Sequence, residues 1–274
     1  DIFVSFPWFL PKRIQTIDSD FLEMIEGRRS FFKFFWVQVV VPILCLFYRP
    51  DRYFSYTHRF PLIFLVFRKK MYFFVHDLVS VFFPETMRRR GRTLDNFFLP
   101  LAVRYGDHLF VSTDKIAEEL RCYALTKRCV EESEIKIEVI PFGGDFFINL
   151  PRRKKSKVIL PEKYFLYVGA IEPRKNIEFM MKGFDYYRSK LDRDMYFVFA
   201  SSVSWGDVVI PGGENVVVLN DVDNFELDRL YKSAYATCLV SKYEGFGLPV
   251  VESIMRGTPA IVGANSPLVE FDKR

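Results

Sequence analysis

Short, almost unbroken apolar runs recur along this chain, each closed by turn residues and followed by a longer segment whose apolar positions return every three or four residues. A short apolar run bounded by Gly, Pro, Asn or Asp reads as a buried strand, and the longer period reads as an amphipathic helix. On that basis "KKMYFFVHDLV" is a strand ending near His76, "TLDNFFLPLAVRYG" is a helix closed by Gly106, and "DHLFVSTDKIAEELRCY" is a strand, a Ser112/Thr113 cap and a helix. "IKIEVIPFGGD" supplies the next strand. The second half repeats the rhythm with a strand in "YFLYVGAIEPRKN", a helix through "IEFMMKGFDYYRSKL", strands "MYFVFASS" and "NVVVLNDV", and a helix "FELDRLYKSA". A strand "YATCLVS", a glycine turn, a helix "PVVESIMRG" and a strand "PAIVGA" follow. Strands that alternate with helices and are apolar on both sides belong in parallel sheets covered on both faces. The expected class is α/β, with two doubly wound domains.

Residues 143–163 carry two prolines, two glycines and a basic knot without periodicity, the composition of a hinge. The boundary is placed near residue 150, giving an N-terminal domain over 1–150 and a C-terminal domain over 151–274. No repeat of solenoid length is visible. Residue 1 opens on what reads as a strand already under way, and the chain stops shortly after Val269-Glu270-Phe271. The expectation is therefore a fragment, with an incomplete N-terminal domain and a truncated C-terminal one. The segment "FFKFFWVQVVVPILCLFY", residues 31–48, is interrupted by Lys33, Gln38 and Pro42 and falls short of the roughly 20 apolar residues that cross hydrocarbon. Its first reading is a buried amphipathic helix. The flanking Arg28, Arg29, Arg49 and Arg52 keep a second reading open, a helix lying on an anionic membrane surface.

Composition narrows the picture only a little. Among 274 residues, 50% are hydrophobic and 27% charged, enough apolar surface for two cores. The formal net charge of +5 is spread in short knots such as Arg88-Arg89-Arg90 and Arg152-Arg153-Lys154-Lys155. Nucleic-acid binding would need a basic face interleaved with aromatics, or a known module, and neither is present. A phosphate-bearing small molecule or an anionic surface remains. The four cysteines, Cys45, Cys122, Cys129 and Cys238, have neither metal-ligand nor disulfide-framework spacing, so they read as reduced thiols in a cytoplasmic protein.

Ligands of open parallel sheets bind beyond the carboxyl ends of the strands, and three features fall there. In "VGAIEPRKN", residues 168–176, Arg174 and Lys175 stand between a strand and a helix, an arrangement that suits a diphosphate; a solvated basic pair is the plainer alternative. In "SKYEGFGLPVVES", residues 241–253, Glu244 and Glu252 lie eight residues apart across a turn containing Gly245, Phe246, Gly247, Leu248 and Pro249. Glycine amides there can donate to a ligand that approaches closely, and both carboxylates can reach sugar hydroxyls. The alternative leaves Glu244 a loop charge and Glu252 a solvated helix residue. Third, His76-Asp77 ends the N-terminal domain's strand, where a histidine is otherwise a hydrogen-bonded structural residue.

"YFLYVGAIEPRKN" and "ELDRLYKSAYATCLVSKYEGFGLPVVESIMRGTPAIVGANSPLVE", with the less specific "YFFVHDLVSVFFPE" and "KIEVIPFGGD", resemble the family 4 glycosyltransferases, the glycosyl transferases group 1, of the GT-B fold. The likeness is densest over 164–270, looser over 55–145 and slight over 1–54. It implies two Rossmann-like domains facing a central cleft and a retaining, metal-independent transfer from a nucleotide sugar bound mostly by the C-terminal domain. By the same resemblance Glu244, with the amides of Gly245, Phe246, Gly247 and Leu248, holds the donor sugar, Glu252 holds the ribose, and Lys175 and Arg174 neutralise the diphosphate. His76 lies by the donor sugar and acceptor. His76 and Glu244 are thus the catalytic candidates, and the others form the donor-binding set. No cofactor and no metal is expected beyond a GDP- or UDP-linked donor. The acceptor expected is a glycan or lipid-linked glycan of surface polysaccharide such as lipopolysaccharide, with mannose the leading sugar and peripheral contact at the cytosolic membrane face.

Two departures stand out. Many members carry an arginine where this chain has Ala170, and no glycine-rich loop is found in residues 1–54. Two other readings stay open. "NDVDN", residues 220–224, contains an Asp-x-Asp of the kind that holds a divalent cation in metal-dependent GT-A transferases, and the fold could serve as a nucleotide-sugar-binding scaffold without catalysis.

Overall fold

The computed structural model describes residues 2–4, 35–67, 69–127, 129–131, 134–143, 159–201, 210, 212–264, 266 and 269. Two compact units divide the chain, Asp1–Ile140 and Pro141–Arg274. Most of the expected hinge, and the boundary expected near 150, fall on residues 144–158, outside the described residues.

The first unit is built on strands β1 (Ile2–Val4), β2 (Arg52–Ser55), β3 (Lys70–Val75), β4 (His108–Val111) and β5 (Ile137–Val139). They pair in chain order and every pairing is parallel. Helices α1 (Val41–Tyr48), α2 (Ile63–Phe67), α3 (Val79–Phe82), α4 (Arg89–Tyr105) and α5 (Asp114–Thr126) connect them. Five π-helical residues, Trp36–Val40, lead into α1. Tyr53, Met71, Phe73 and Val75 are buried from strands β2 and β3, and Phe60 joins the layers by packing on Phe73 and Phe98. At Gly106, which closes α4, an added Cβ would stand 2.6 Å from the Ala102 carbonyl oxygen and 3.0 Å from the Phe73 ring. Only glycine lets the chain turn so close to the helix it has just left. The helix start at α5 follows the sequence reading: Thr113 accepts a hydrogen bond from the Ile116 amide at 3.2 Å, a cap that satisfies an otherwise orphaned donor.

Asp95, buried on α4, binds the loop before α2 through His58 at 3.0 Å and Arg59 at 2.7 Å. Burial alone would raise this carboxyl's pKa, but the two partners outweigh it and hold it below the ordinary carboxylate range. A group depressed in the folded state contributes fully above its unfolded pKa, and the contribution is lost as pH falls through the folded one. Asp95→Ala is therefore expected to lower stability by about 2 kcal/mol at neutral pH. Thermal melts of variant and parent should converge as the pH drops below the ordinary carboxylate range.

The second unit contains β6 (Tyr164–Val168), β7 (Tyr196–Ala200), β8 (Val216–Leu219), β9 (Ala236–Leu239) and β10 (Ala260–Val262), in the spatial order β10-β9-β6-β7-β8 with parallel pairings. Successive residues of β6 serve opposite faces. Phe165 and Tyr167 pack with Met180, Met181 and Phe184 of α6 (Ile177–Lys190). Tyr164 and Leu166 pack with Leu230 and Tyr231 of α7 (Asn224–Ser233). Two covered faces explain why these strands are apolar throughout. Because β7 and β8 extend from one side of β6 while β9 and β10 extend from the other, the winding reverses between β6 and β9. In sheets of this kind the reversal opens a crevice beyond the strands' carboxyl ends.

Candidate functional site

The loops that leave β6 and β9 emerge side by side at that reversal, and side chains join them. After β6 the backbone turns through Gly169, at a φ of 137° that a side chain rarely adopts. It then forms a short 3-10 turn, Pro173–Lys175, and enters α6 through Asn176 at a left-handed φ of 58°. After β9 it runs through residues 240–247 and enters α8 (Leu248–Ile254) at Gly247, φ 77°. The Lys242 amide donates to the Arg174 carbonyl at 2.8 Å, and the Asn176 side-chain amide donates to the Val240 carbonyl at 3.3 Å.

Lys175 and Glu244 form the centre of the joint. Both are buried, and the Lys175 ammonium donates to Glu244 Oε1 at 2.6 Å. Arg174 Nη1 reaches the other carboxylate oxygen at 3.2 Å and the Tyr243 carbonyl at 3.3 Å, while its Nε donates to Glu172 at 2.9 Å. Burial would raise the pKa of Glu244, yet the charges of Lys175 and Arg174 prevail and hold it below the ordinary range. Two cations and two carboxylates thus balance at one spot. An ammonium has three donors, and the single bond to Glu244 leaves Lys175 the capacity to meet an anion. The site-facing loop is fixed from below by Tyr167, whose hydroxyl donates to the Ala170 carbonyl at 2.7 Å. Burial first, and the Glu244 charge second, push the Tyr167 phenol far above its usual range, so it stays a donor.

The glycine turn beside this pair is packed closely. Gly245, Phe246 and Gly247 are buried, and the Phe246 ring meets the Phe142 ring edge-on at 5.1 Å. Leu248 is 43% exposed. Glu252, on α8, is set apart from the cation pair by its own partner: Tyr231 donates to its Oε2 at 2.7 Å. Burial raises the Glu252 pKa, and the Tyr231 hydrogen bond and the Arg256 charge pull against that rise. Arg256 also anchors the stretch, bonding Asp228 at 2.8 Å and the Glu252 carbonyl at 2.7 Å.

His76 belongs to the first unit and follows β3 directly. Its Nε2 lies 2.6 Å from the Tyr56 carbonyl oxygen. A carbonyl only accepts, so the proton sits on Nε2. Burial lowers the His76 pKa, against the pull of that hydrogen bond and of Asp77, and favours the neutral ring.

The structure therefore brings Arg174, Lys175 and Glu244 into direct contact and gives Glu252 a separate hydrogen-bonded seat. Sequence reasoning missed Glu172, although it lies inside the quoted loop, and Tyr231, which is 21 residues from Glu252 and carries no spacing signal. Asp223 of the Asp-x-Asp stretch caps α7, accepting from the Glu226 amide at 2.9 Å. Among the described residues no group of three or more His, Cys, Asp or Glu side chains could hold a metal ion.

Solved structures with this architecture are GT-B glycosyltransferases. Sucrose-phosphate synthase from Thermosynechococcus elongatus superposes with a TM-score of 0.58 at 18% identity, covering 83% of this chain and 59% of that one. Anabaena HepE, in complex with UDP and glucose, gives 0.59 at 13% identity, covering 84% and 64%. The family model Glycosyl transferases group 1 matches residues 151–271. The O-antigen chain mannosyltransferase RfbU of Salmonella typhimurium is 29% identical over 196 residues, 69% of this chain and 50% of the relative. O-antigen chain mannosyltransferase B of Escherichia coli is 29% identical over 114 residues, 39% of this chain and 30% of the relative. The chain thus spans half or less of the length of these curated relatives.

Proposed function

We propose that the protein transfers a hexose, with mannose the leading sugar, from a nucleoside-diphosphate sugar to a glycan or lipid-linked acceptor in polysaccharide biosynthesis, with retention of configuration. The observation that carries this reading is the buried Lys175–Glu244 pair joining the two loops at the winding reversal, with Arg174 beside it. When the bond from the sugar's anomeric carbon to the diphosphate breaks, negative charge grows on the phosphate oxygens and positive charge on the ring. Cations fixed at the leaving group stabilise that state without reorganising. Lys175 and Arg174 take this role, while Glu244, held in place by both, accepts from a donor-sugar hydroxyl alongside the amides of Gly245, Phe246, Gly247 and Leu248. Glu244 is already committed to two cations and serves as an acceptor, not as a nucleophile. The acceptor oxygen bonds the anomeric carbon on the face the diphosphate leaves, and the acceptor's proton passes to a leaving phosphate oxygen. His76, neutral and protonated on Nε2, is kept as the second catalytic candidate. The names of the mannosyltransferase relatives support the sugar, at modest identity.

Glu252 is assigned to the ribose hydroxyls, and Tyr231 orients it. A ribose hydroxyl donates to an ionised carboxylate, so donor affinity falls as pH drops through the Glu252 pKa. Removing the Tyr231 hydroxyl removes an interaction that lowers this pKa. Tyr231→Phe is thus expected to weaken nucleotide affinity by about tenfold and to move the acidic limb of binding to higher pH, with kcat little changed.

The function is tested by screening GDP, UDP and ADP for thermal stabilisation in the presence of a chelator, then assaying transfer from the matching sugar nucleotides. One nucleotide at saturation should raise stability by a few kcal/mol, with the chelator making no difference. Stabilisation without sugar transfer would favour a non-catalytic binder. Dependence on a divalent cation would contradict the metal-free reading.

A further inference from the structure

The first unit carries a hollow of about 640 Å³ between α3, the turn at Pro84, α4 and the end of α5. That volume is ordinary for a small-molecule pocket. Three helices supply its polar lining: Ser80 comes from α3, Arg92 and Asn96 stand one turn apart on α4, and Tyr123 belongs to α5, which Lys127 closes. None of these five side chains forms a hydrogen bond or an ion pair with another described residue. Elsewhere on the surface such charges are spent, Lys163 on Asp192, Lys182 on Glu178 and Lys232 on Asp228. Here both charges are positive, and no carboxylate is among the described residues of the wall. Val81, Pro84 and Pro100 complete it with apolar surface.

Although α3 follows β3 closely, the rest of the wall runs back toward the strands' amino ends, away from the edge where ligands of parallel sheets bind. Because β4 and β5 pair in parallel, the chain must return from Val111 to the amino end of the sheet before Ile137, and Lys127 and Cys129 stand late in that return. Pro100 stands late on α4 in the same way, between β3 and β4. Asn96 and Lys127 are exposed, so the hollow opens to solvent along the flank of these helices. Cys129 forms part of the wall, and burial pushes its thiol pKa up while the nearby charges of Arg104 and Lys127 pull against that rise. The field in the hollow is therefore positive. A guanidinium and an ammonium match phosphate oxygens. Serine, asparagine and tyrosine side chains each donate and accept, which suits the hydroxyls of a sugar. A purely anionic ligand such as a tricarboxylate would leave their acceptors unused.

We infer that this hollow is a second small-molecule site, one that takes a phosphorylated monosaccharide, with Arg92 and Lys127 on the phosphate and Ser80, Asn96 and Tyr123 on the hydroxyls. The inference does not depend on sugar transfer, since it uses no residue of the Lys175–Glu244 site. The test is calorimetric titration of the full chain with mannose 6-phosphate, glucose 6-phosphate, inorganic phosphate, mannose and citrate. At least one hexose phosphate should bind saturably, and at least about tenfold more tightly than the other three probes. Arg92→Gln and Lys127→Gln should each weaken that binding about tenfold. The melting temperature should stay unchanged in both, because neither side chain has a partner to lose. Lys175→Ala should bind the hexose phosphate as the parent does. Cys129 gives an independent readout: its alkylation by iodoacetamide, followed by mass spectrometry, should slow when the hexose phosphate is saturating, while the exposed Cys122 reacts at an unchanged rate. Failure of both hexose phosphates to bind, equal binding of inorganic phosphate or mannose, or tighter binding of citrate would overturn the inference. So would binding indifferent to both variants, or a Cys129 left unprotected. Loss of binding in Lys175→Ala would also overturn it, by assigning the hexose phosphate to the nucleotide-sugar site instead.

Discussion

Glu244→Ala is expected to abolish measurable donor binding and to destabilise the second unit by about 3–5 kcal/mol, because it strands the buried ammonium of Lys175 without its partner. In a unit of this size that loss lowers the melting temperature by roughly 10–20 °C. The acid dependence is a second signature. Glu244 is depressed in the folded protein, so its contribution is full above the ordinary carboxylate range and disappears as pH falls through the folded value. The gap between parent and variant should therefore close on acidification. Glu244→Gln, which keeps the shape and one acceptor, should recover part of the stability but little of the binding, because a neutral amide balances neither cation.

Lys175→Ala should separate the two roles of the same pair. Glu244 keeps Arg174 as a partner in this variant, so the loss of stability is expected to be smaller than for Glu244→Ala. Turnover should suffer more, with kcat falling by about 10²–10³ because the cation at the leaving diphosphate is gone, and with donor affinity also reduced. Combining the substitutions removes both buried charges at once. The double variant should be more stable than the sum of the single losses implies, and that difference measures the coupling of the pair. If the two single losses simply add in the double variant, Lys175 and Glu244 do not act on each other in solution.

Much of this layout is legible in the chain itself. Strands β6, β7 and β9 show as apolar runs because both faces of their sheet are covered, and α5 shows through its Thr113 cap. The nearness of the basic loop to the glutamate turn follows from parallel winding, but not its form. Lys175 and Glu244 are 69 residues apart, and nothing local announces that they bond to each other. A reading of residue types expected Glu244 to face a ligand. Folding instead commits it to two cations first, which is how a carboxylate can be buried at all. Tyr231 was invisible for a similar reason: its hydroxyl matters only because α7 and α8 bring it to Glu252. Helix α1 was legible as a helix but not in its burial: only Val41 and Cys45 are buried, and an apolar run flanked by arginines left open how much of it the core would cover.

The most direct test of the central claim is calorimetric titration of the parent protein and of Lys175→Ala with GDP and UDP, because Lys175 is assigned to the diphosphate. Saturable binding of one nucleotide by the parent, weakened at least about tenfold by the substitution, is the result this account predicts. A parent that binds neither nucleotide, or a variant that binds as tightly as the parent, would contradict it.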